Sequence, residues 1–435
     1  MSSAVKDYYT AGSSNTRENL KIKDVTKMKT IIQNGQVLNV HTSQYEKKNI
    51  VIESDKITVL TGSPVTAGQG DVVIDAEGKF IIPGLIDAHV HVTSATVDLA
   101  MPQLPITYIT CCAAKNLSEA LQRGFTTMRD VGGADFGLAM AVNTGVIPGS
   151  RLFFCGRALS QTGGHGDFRA KTYDGEYGAP MQSSATSIGQ IADGITEVRR
   201  ACRQELRKGA SFIKIMAAGG VASPGDRVTD TQYSSGELSA ISEEAQAKST
   251  YVAAHVYSAK AIRICLEHGV RTIEHGNLLD EETAAMMKEK EAYLIPTVIT
   301  YDALARRGAD YQFPEVSINK IASVRVQALE AVRIARKHGV KIGFGTDLLG
   351  PLWEEQSNEF TLRSRVEEPI DTIISATKIN AEVLNESGNF GEISAQASAD
   401  ILILGKDPVK DISAITDRSN ILLIMKAGTI YKNTL

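Results

Sequence analysis

Residues 85–92 read LIDAHVHV. The run is apolar and ends in two histidines one residue apart, in a chain that holds only eight histidines among 435 residues. In a strand, side chains alternate between faces, so His89 and His91 project side by side. One histidine on such a face is easily satisfied by the core. Two in the same place call for a common partner, and a metal ion suits paired neutral imidazoles.

Outward from this run the middle of the chain alternates. Strand-like runs FIIPGLIDAHV, FTTMRDVG, RLFFCG, SFIKIMAAGG, YVAAHVYS, RTIEHG, YLIPTVI and KIGFGTD are separated by helical stretches such as ITEVRRACRQELRKG (195–209), SAKAIRICLEHG (258–269) and SVRVQALEAVRIARKHG (323–339). Eight strands with intervening helices carry the rhythm of a parallel (β/α)8 TIM-like barrel, an α/β fold. Gly209, Gly269 and Gly339 fall where each helix gives way to the next strand, the position just past a helix end.

Before the barrel, residues 29–83 read as short strands, with Asn34-Gly35 and Glu77-Gly78 placed as hairpin turns. ADILILGKD (399–407) and ILLIMKAGTIYKN (421–433) repeat that texture at the far end. Neither end makes a core alone. The expected organisation is a flexible segment over 1–28, a small β-sandwich from 29–83 plus 393–435, and a catalytic barrel over 84–392.

Composition narrows the function. Apolar residues make up 43% and charged residues 22%, with net charge −4 and no basic stretch interleaved with aromatics, which argues against nucleic-acid binding. No apolar run approaches the roughly 18 residues of a membrane span. The N-terminal text is polar without a secretory apolar region, so a cytoplasmic location is expected. The five cysteines show no metal-type spacing, and free buried thiols are the expectation.

Catalytic groups of α/β barrels sit at the C-terminal ends of strands. His89, His91, His255, His275 and Asp347 all fall near such ends. Lys214 lies between Ile213 and Ile215, so it faces the barrel interior, where an unpaired ammonium costs several kcal/mol. It must be neutral, paired or chemically changed.

This ordered set, with the phrase PGLIDAHVH and the GTD that contains Asp347, resembles the amidohydrolase superfamily over essentially the whole ordered chain. The resemblance implies two divalent metal ions, typically zinc. It implies a lysine carboxylated by CO2 that bridges them, here Lys214. His89, His91 and Asp347 are then placed around one ion and His255 and His275 around the other. A hydroxide between the ions is the nucleophile, and Asp347 carries its proton to the leaving amine. ALSQTGGHGD (158–167) and FIKIMAAGGVASPGD (212–226) are similar to the subgroup that includes ochratoxinase and the Xaa-Pro and Xaa-Arg dipeptidases. Those relatives imply a small-molecule amide substrate, a dipeptide or N-acyl amino acid. They are often homo-oligomers.

Further candidates come from position. His165 in GGHGD is expected to stabilise an oxyanion or substrate carbonyl, or else to shape a loop turn. Tyr257 shares the orientation of His255 and either meets a substrate carboxylate or packs at the rim. Gly219 and Gly220 offer N–H groups to an anion. Asp167 orients His165 or serves a turn, and Arg129 with Asp130 forms an ion pair that closes the barrel. His41, His268 and His338 are set aside as structural. Cyclic-amide hydrolysis, a metal-dependent lyase or decarboxylase, and a scaffold without catalysis are the competing readings. Deaminating relatives typically lack the bridging lysine.

Overall fold

The computed structural model describes residues 28–98, 104–169, 188–223, 225–311, 313 and 315–435. The expected flexible segment lies outside the described residues except for Met28. The first strands are β1 (Lys29–Asn39), β2 (Gln44–Glu53), β3 (Lys56–Thr61), β4 (Val72–Asp75) and β5 (Phe80–Pro83). Asn34-Gly35 is not a hairpin turn. β1 runs straight through it with a bulge, Asn34 at φ 65°. A Cβ on Gly35 would meet Ile81 Cδ1 at 2.2 Å, so the Ile81 side chain of β5 would have to shift to admit any other residue. Glu77-Gly78 is a turn, with Gly78 at φ 71°, but β4 and β5 both pair in parallel with β1 instead of with each other.

Gly84 breaks the run FIIPGLIDAHV in two. A Cβ there would meet Thr126 Oγ1 at 2.3 Å. The second half becomes β6 (Leu85–Val90), which pairs in parallel with β7 (Phe125–Asp130), and β7 with β8 (Arg151–Phe154). A second parallel sheet holds β9 (Ala158–Ser160), β10 (Gly189–Ile191), β11 (Ile213–Met216), β12 (Val252–Ser258), β13 (Thr272–Leu278), β14 (Tyr293–Ile295) and β15 (Lys341–Ile342), in the order β10-β9-β11-β12-β13-β14-β15. The eight-strand ladder expected from the text is thus divided. Gly156, at φ 75°, turns the chain between β8 and β9 and interrupts the pairing. Backbone bonds join the two sheets on both sides: Ser211 N to Phe154 O at 2.8 Å on one, and Ala88 N to Phe344 O at 2.8 Å and Asp347 N to His89 O at 2.8 Å on the other.

Helices separate these strands and cover them. Ile213 and Ile215 are fully buried and share a core with Val198 and Cys202 of the helix Gly194–Arg207 and with Leu238 and Ile241 of the helix Ser235–Gln246. The alternate residue, Lys214, is therefore turned the other way. Gly209, Gly269 and Gly339 take φ of 95°, 80° and 68°, the left-handed geometry that ends a helix.

The chain returns to the first sheet with β16 (Ile401–Leu404), β17 (Ile421–Lys426) and β18 (Thr429–Asn433), giving the order β18-β17-β16-β5-β1-β2-β3 with β4 on β1. The two ends thus make one continuous hydrogen-bonded sheet, because β16 pairs directly with β5. Both faces of β16 are buried. Ile401 and Ile403 join a core made by this sheet and the segment around Ile393 and Ala399 that leads into β16, whereas Leu402 and Leu404 pack with Leu117, Leu121 and Phe125 of the α/β region. Arg151 of β8 also grips Asp400 with bonds of 2.6 and 3.2 Å. Among the described residues no helix is long and apolar enough to cross a membrane. All five cysteines are free; Cys155, Cys202 and Cys265 are buried, while Cys111 is exposed on the outer side of the helix Ile106–Gln122.

Candidate metal centre

Strands β6, β11, β12 and β13, with the chain after β15, deliver polar side chains to one cavity of about 30 Å3. His89, His91, Lys214, His255, His275 and Asp347 all line it, as do His165 and Tyr257. Gly219 and Gly220 do not line it among the described residues. Around the polar floor stand Met216, Val221, Leu304 and Leu349.

Each imidazole is held by one nitrogen. His89 Nδ1 meets Glu274 Oε2 at 2.7 Å, His91 Nδ1 meets Gly132 O at 2.8 Å, and His275 Nδ1 meets Thr297 Oγ1 at 2.8 Å. His255 is reversed, its Nε2 lying 3.4 Å from Gly219 O. In every ring the opposite nitrogen remains for the cavity. Asp347 Oδ1 sits 3.5 Å from His89 Nε2 and 3.4 Å from His91 Nε2. Ligand atoms of His89, His275 and Asp347 lie within 4.8 Å of one another, a spacing that can hold a metal ion.

The electrostatics suit metal ligation. Burial pushes the His91 imidazole down to about 4 and those of His255 and His275 well below the usual range. Neutral imidazole is the ligating form. Burial raises the Asp347 carboxyl, but the neighbouring His89 and His91 outweigh this and hold it below its ordinary value. Burial likewise lowers the Lys214 amine. Lys214 is 1% exposed and forms no hydrogen bond or ion pair among the described residues. The donor set therefore fits a divalent metal ion.

The backbone is strained at three of these positions. His275, Thr297 and Asp347 adopt φ of 75°, 44° and 52° without being glycine. Such conformations cost of order 1–3 kcal/mol each and cluster at functional sites. Asp87, 0% exposed, accepts from Thr346 Oγ1 at 2.6 Å and from Gln356 Nε2 at 2.9 Å, which pins the turn that presents Asp347.

Several partners are not the expected ones. Arg129 pairs with Glu274, its NH2 donating at 2.7 and 2.9 Å, and not with Asp130. Asp130 instead accepts backbone N–H groups of Val92, Gly132 and Ala134. Asp167 does not touch His165; it binds Gly163 N and Arg169. His165 Nδ1 meets Ser223 Oγ at 2.8 Å, and Ser223 in turn bonds Asp226. The N–H of Gly219 is taken by Asp230 O at 3.1 Å, so its service to the site is its carbonyl beside His255. Gly220 packs under the His165 ring, where a Cβ would lie 2.1 Å from Cε1.

Glu274, Thr297, Ser223 and Asp226 escaped the sequence reading. Glu274 carried one signal, a charged residue inside the buried strand RTIEHG next to His275. The others lie in loops, where polar residues are ordinary. His41, His268 and His338 stand apart from the cavity, paired with Glu392, Ser239 and Glu281.

A buried cluster of imidazoles, one carboxylate and one amine at the ends of parallel strands defines a class as well as a site. Residues 80–431 match the Amidohydrolase family, and the chain belongs to it. The family generally binds metal. Among curated proteins, an ochratoxinase of Aspergillus niger is 34% identical over 330 residues, 73% of this chain and 68% of its own length. Among solved structures, a prolidase complexed with N-methylphosphonate-L-proline superposes with TM-score 0.91 at 42% identity, covering 93% of this chain and all (100%) of that one. A Xaa-Pro dipeptidase with bound methionine superposes with TM-score 0.82 at 28% identity, over 93% of this chain and 100% of that chain.

Proposed function

We propose that this protein hydrolyses the amide bond of a dipeptide or N-acyl amino acid and releases a free amino acid. In this reading the two parallel sheets work as one (β/α)8 barrel, and the sheet from both chain ends is the small second domain, over 29–83 plus 393–435. His89, His91 and Asp347 would hold one divalent ion and His255 and His275 the other, and Lys214, carboxylated by CO2, would supply an anionic oxygen donor to both. Zinc suits the nitrogen and oxygen donors. When bound, the two ions lower the pKa of a water and polarise the scissile carbonyl.

The chain's own groups do the rest. Asp347 Oδ1 accepts the water proton and delivers it to the leaving amine, so one carboxylate serves as base and then acid. Glu274, Gly132 and Thr297 fix the rings so that no reorganisation accompanies the reaction. Tyr257, whose hydroxyl accepts from Tyr301 at 3.3 Å, lines the cavity where it can meet the substrate carboxylate. Val221, Leu304 and Leu349 exclude water and enclose an apolar part of it.

The observation that carries the reading is that each of the four rings spends one nitrogen on a protein partner and keeps the other for the cavity. Structural histidines have no reason to share that arrangement. The relatives that cleave at proline support the choice of amide. The experiment is a panel of dipeptides and N-acyl amino acids given to protein of measured metal content, with free amino acid as readout. Release that stops on chelation and returns with zinc is expected. A fully metal-loaded protein that releases no amino acid from the panel, or that opens cyclic amides instead, overturns the proposal.

A further inference from the structure

Three helix starts in this protein share one device, and a fourth departs from it. Asp135, Ser258 and Asp280 precede their helices in extended conformation, and each side chain accepts the backbone N–H three residues on, from Leu138, Ala261 and Thr283. Thr297 holds the same place before the helix Val298–Arg307, but its side chain caps nothing. Its φ and ψ of 44° and 47° are left-handed, a costly setting for a β-branched residue. That turn carries Oγ1 away from its own helix, to 2.8 Å from His275 Nδ1. The buried N–H groups of Val298 and Ile299 still need an acceptor. It comes from 60 residues away: Glu359 Oε2 accepts from Ile299 N at 2.7 Å, and the Val298 N–H bears on the same carboxyl. Glu359 is 0% exposed, and its Oε1 has no partner among the described residues. Its short helix, Asn358–Arg363, is pinned by Arg363, which donates to Gly343 O at 2.7 Å and to Ser375 Oγ at 2.9 Å.

We infer that Glu359 is a positioning residue, which caps the helix Val298–Arg307 in place of Thr297 and so releases the Thr297 hydroxyl to hold His275. Thr297 has one side-chain oxygen and two uses for it. In extended conformation that oxygen would cap its own helix. In the left-handed conformation it meets His275. Glu359 removes the demand for the first use, so the second persists. Without Glu359, the orphaned N–H groups favour the extended, capping form, and His275 loses its partner. Burial lifts the Glu359 carboxyl to about 8, so an acceptor oxygen suffices and a full charge is not required. The exchange of caps holds whichever way the hydrogen bond between Thr297 and His275 is directed. The metal role of His275 rests on the proposed function; the exchange of caps does not.

The test uses the full chain, first metal-free and then with zinc. In the metal-free protein, hydrogen exchange of the peptide that carries Val298 and Ile299 reports the cap. Glu359→Ala is expected to speed it about tenfold or more. Thr297→Val, and Glu359→Gln, which keeps an acceptor, are expected to leave it near wild type. Faster exchange in Thr297→Val than in Glu359→Ala overturns the inference. Zinc affinity, from competition with a chelator, reports His275. Thr297→Val and Glu359→Ala are each expected to weaken it about tenfold. The double variant should lose no more than Thr297→Val alone, because Glu359 acts through that hydroxyl. Losses that multiply mark a general structural role and overturn the inference, as does wild-type affinity in Glu359→Ala. Should Glu359→Ala not fold, Glu359→Gln and Thr297→Val decide. The first is expected to keep most of the zinc affinity and the second to lose it with exchange unchanged; the reverse overturns the inference. A wild-type protein that binds no zinc overturns the proposed metal site, and the exchange pattern then judges the cap by itself.

Discussion

Glu274 lies between His89 and Arg129, accepting from the guanidinium at 2.7 Å while its other oxygen meets the imidazole at 2.7 Å. Both Glu274 and Arg129 are fully buried. Burial pushes the Glu274 carboxyl up, but the Arg129 charge and the His89 bond override this and hold it well below the usual carboxylate range. A structural ion pair and the orientation of a cavity histidine thus depend on one carboxylate.

Glu274→Gln should therefore act twice. It leaves Arg129 without its counter-charge, which costs about 3–5 kcal/mol for a buried pair. It also loosens His89, with metal affinity expected to fall about 10–100-fold. Thermal unfolding and metal titration measure the two separately. Unchanged metal affinity in a folded variant would remove Glu274 from the site.

Acid should destabilise the metal-free protein over a definite window. The His91 and His165 rings are held down to about 4, against 6.5 for an ordinary histidine, by burial above all. His255 and His275 are also held well below the ordinary value, for the same first cause. Below 6.5 the unfolded chain binds protons that the folded one refuses, so stability falls as pH drops from about 6.5 toward 4. Above that window these groups contribute no pH dependence. Urea midpoints taken between those limits check the sign; a rise on acidification would contradict it.

Asp347→Asn keeps an oxygen donor but cannot carry a proton. Metal content should stay largely intact while kcat falls by about 10²–10⁴. Metal analysis beside turnover separates this from simple loss of ions. Near-normal turnover would take the proton shuttle away from Asp347.

Lys214→Ala removes the proposed bridging donor and should abolish activity. Short carboxylates, added to occupy the gap, should restore part of it, and restoration should depend on their concentration. Lys214→Met in metal-free protein should be neutral or stabilising, since an apolar chain replaces an amine that burial disfavours. Loss of several kcal/mol in that variant would mean that Lys214 has a charge partner when the metals are absent.

The local text determined a good deal of this protein. Period-two alternation turned Lys214 away from Ile213 and Ile215, and the same rule set His89 beside His91 and Tyr257 beside His255. Glycines just past helix ends marked three of the helix boundaries, because only that residue enters the left-handed region without a Cβ penalty. The amidohydrolase family was legible because its motifs are short, and each sits at the end of one strand.

Other features were decided only by packing across the chain. Asn34-Gly35 reads as a turn by local propensity, yet the approach of Ile81 makes it a bulge within one strand. Arg129 stands next to Asp130 in sequence, but adjacent residues of a strand face opposite ways, so its partner is Glu274, 145 positions on. Ser223 and Asp226 hold His165 from a loop whose position depends on Lys320, 94 residues beyond Asp226. Periodicity fixes the direction in which a side chain leaves its own strand. Which groups it meets depends on how distant segments pack, and no local pattern encodes that.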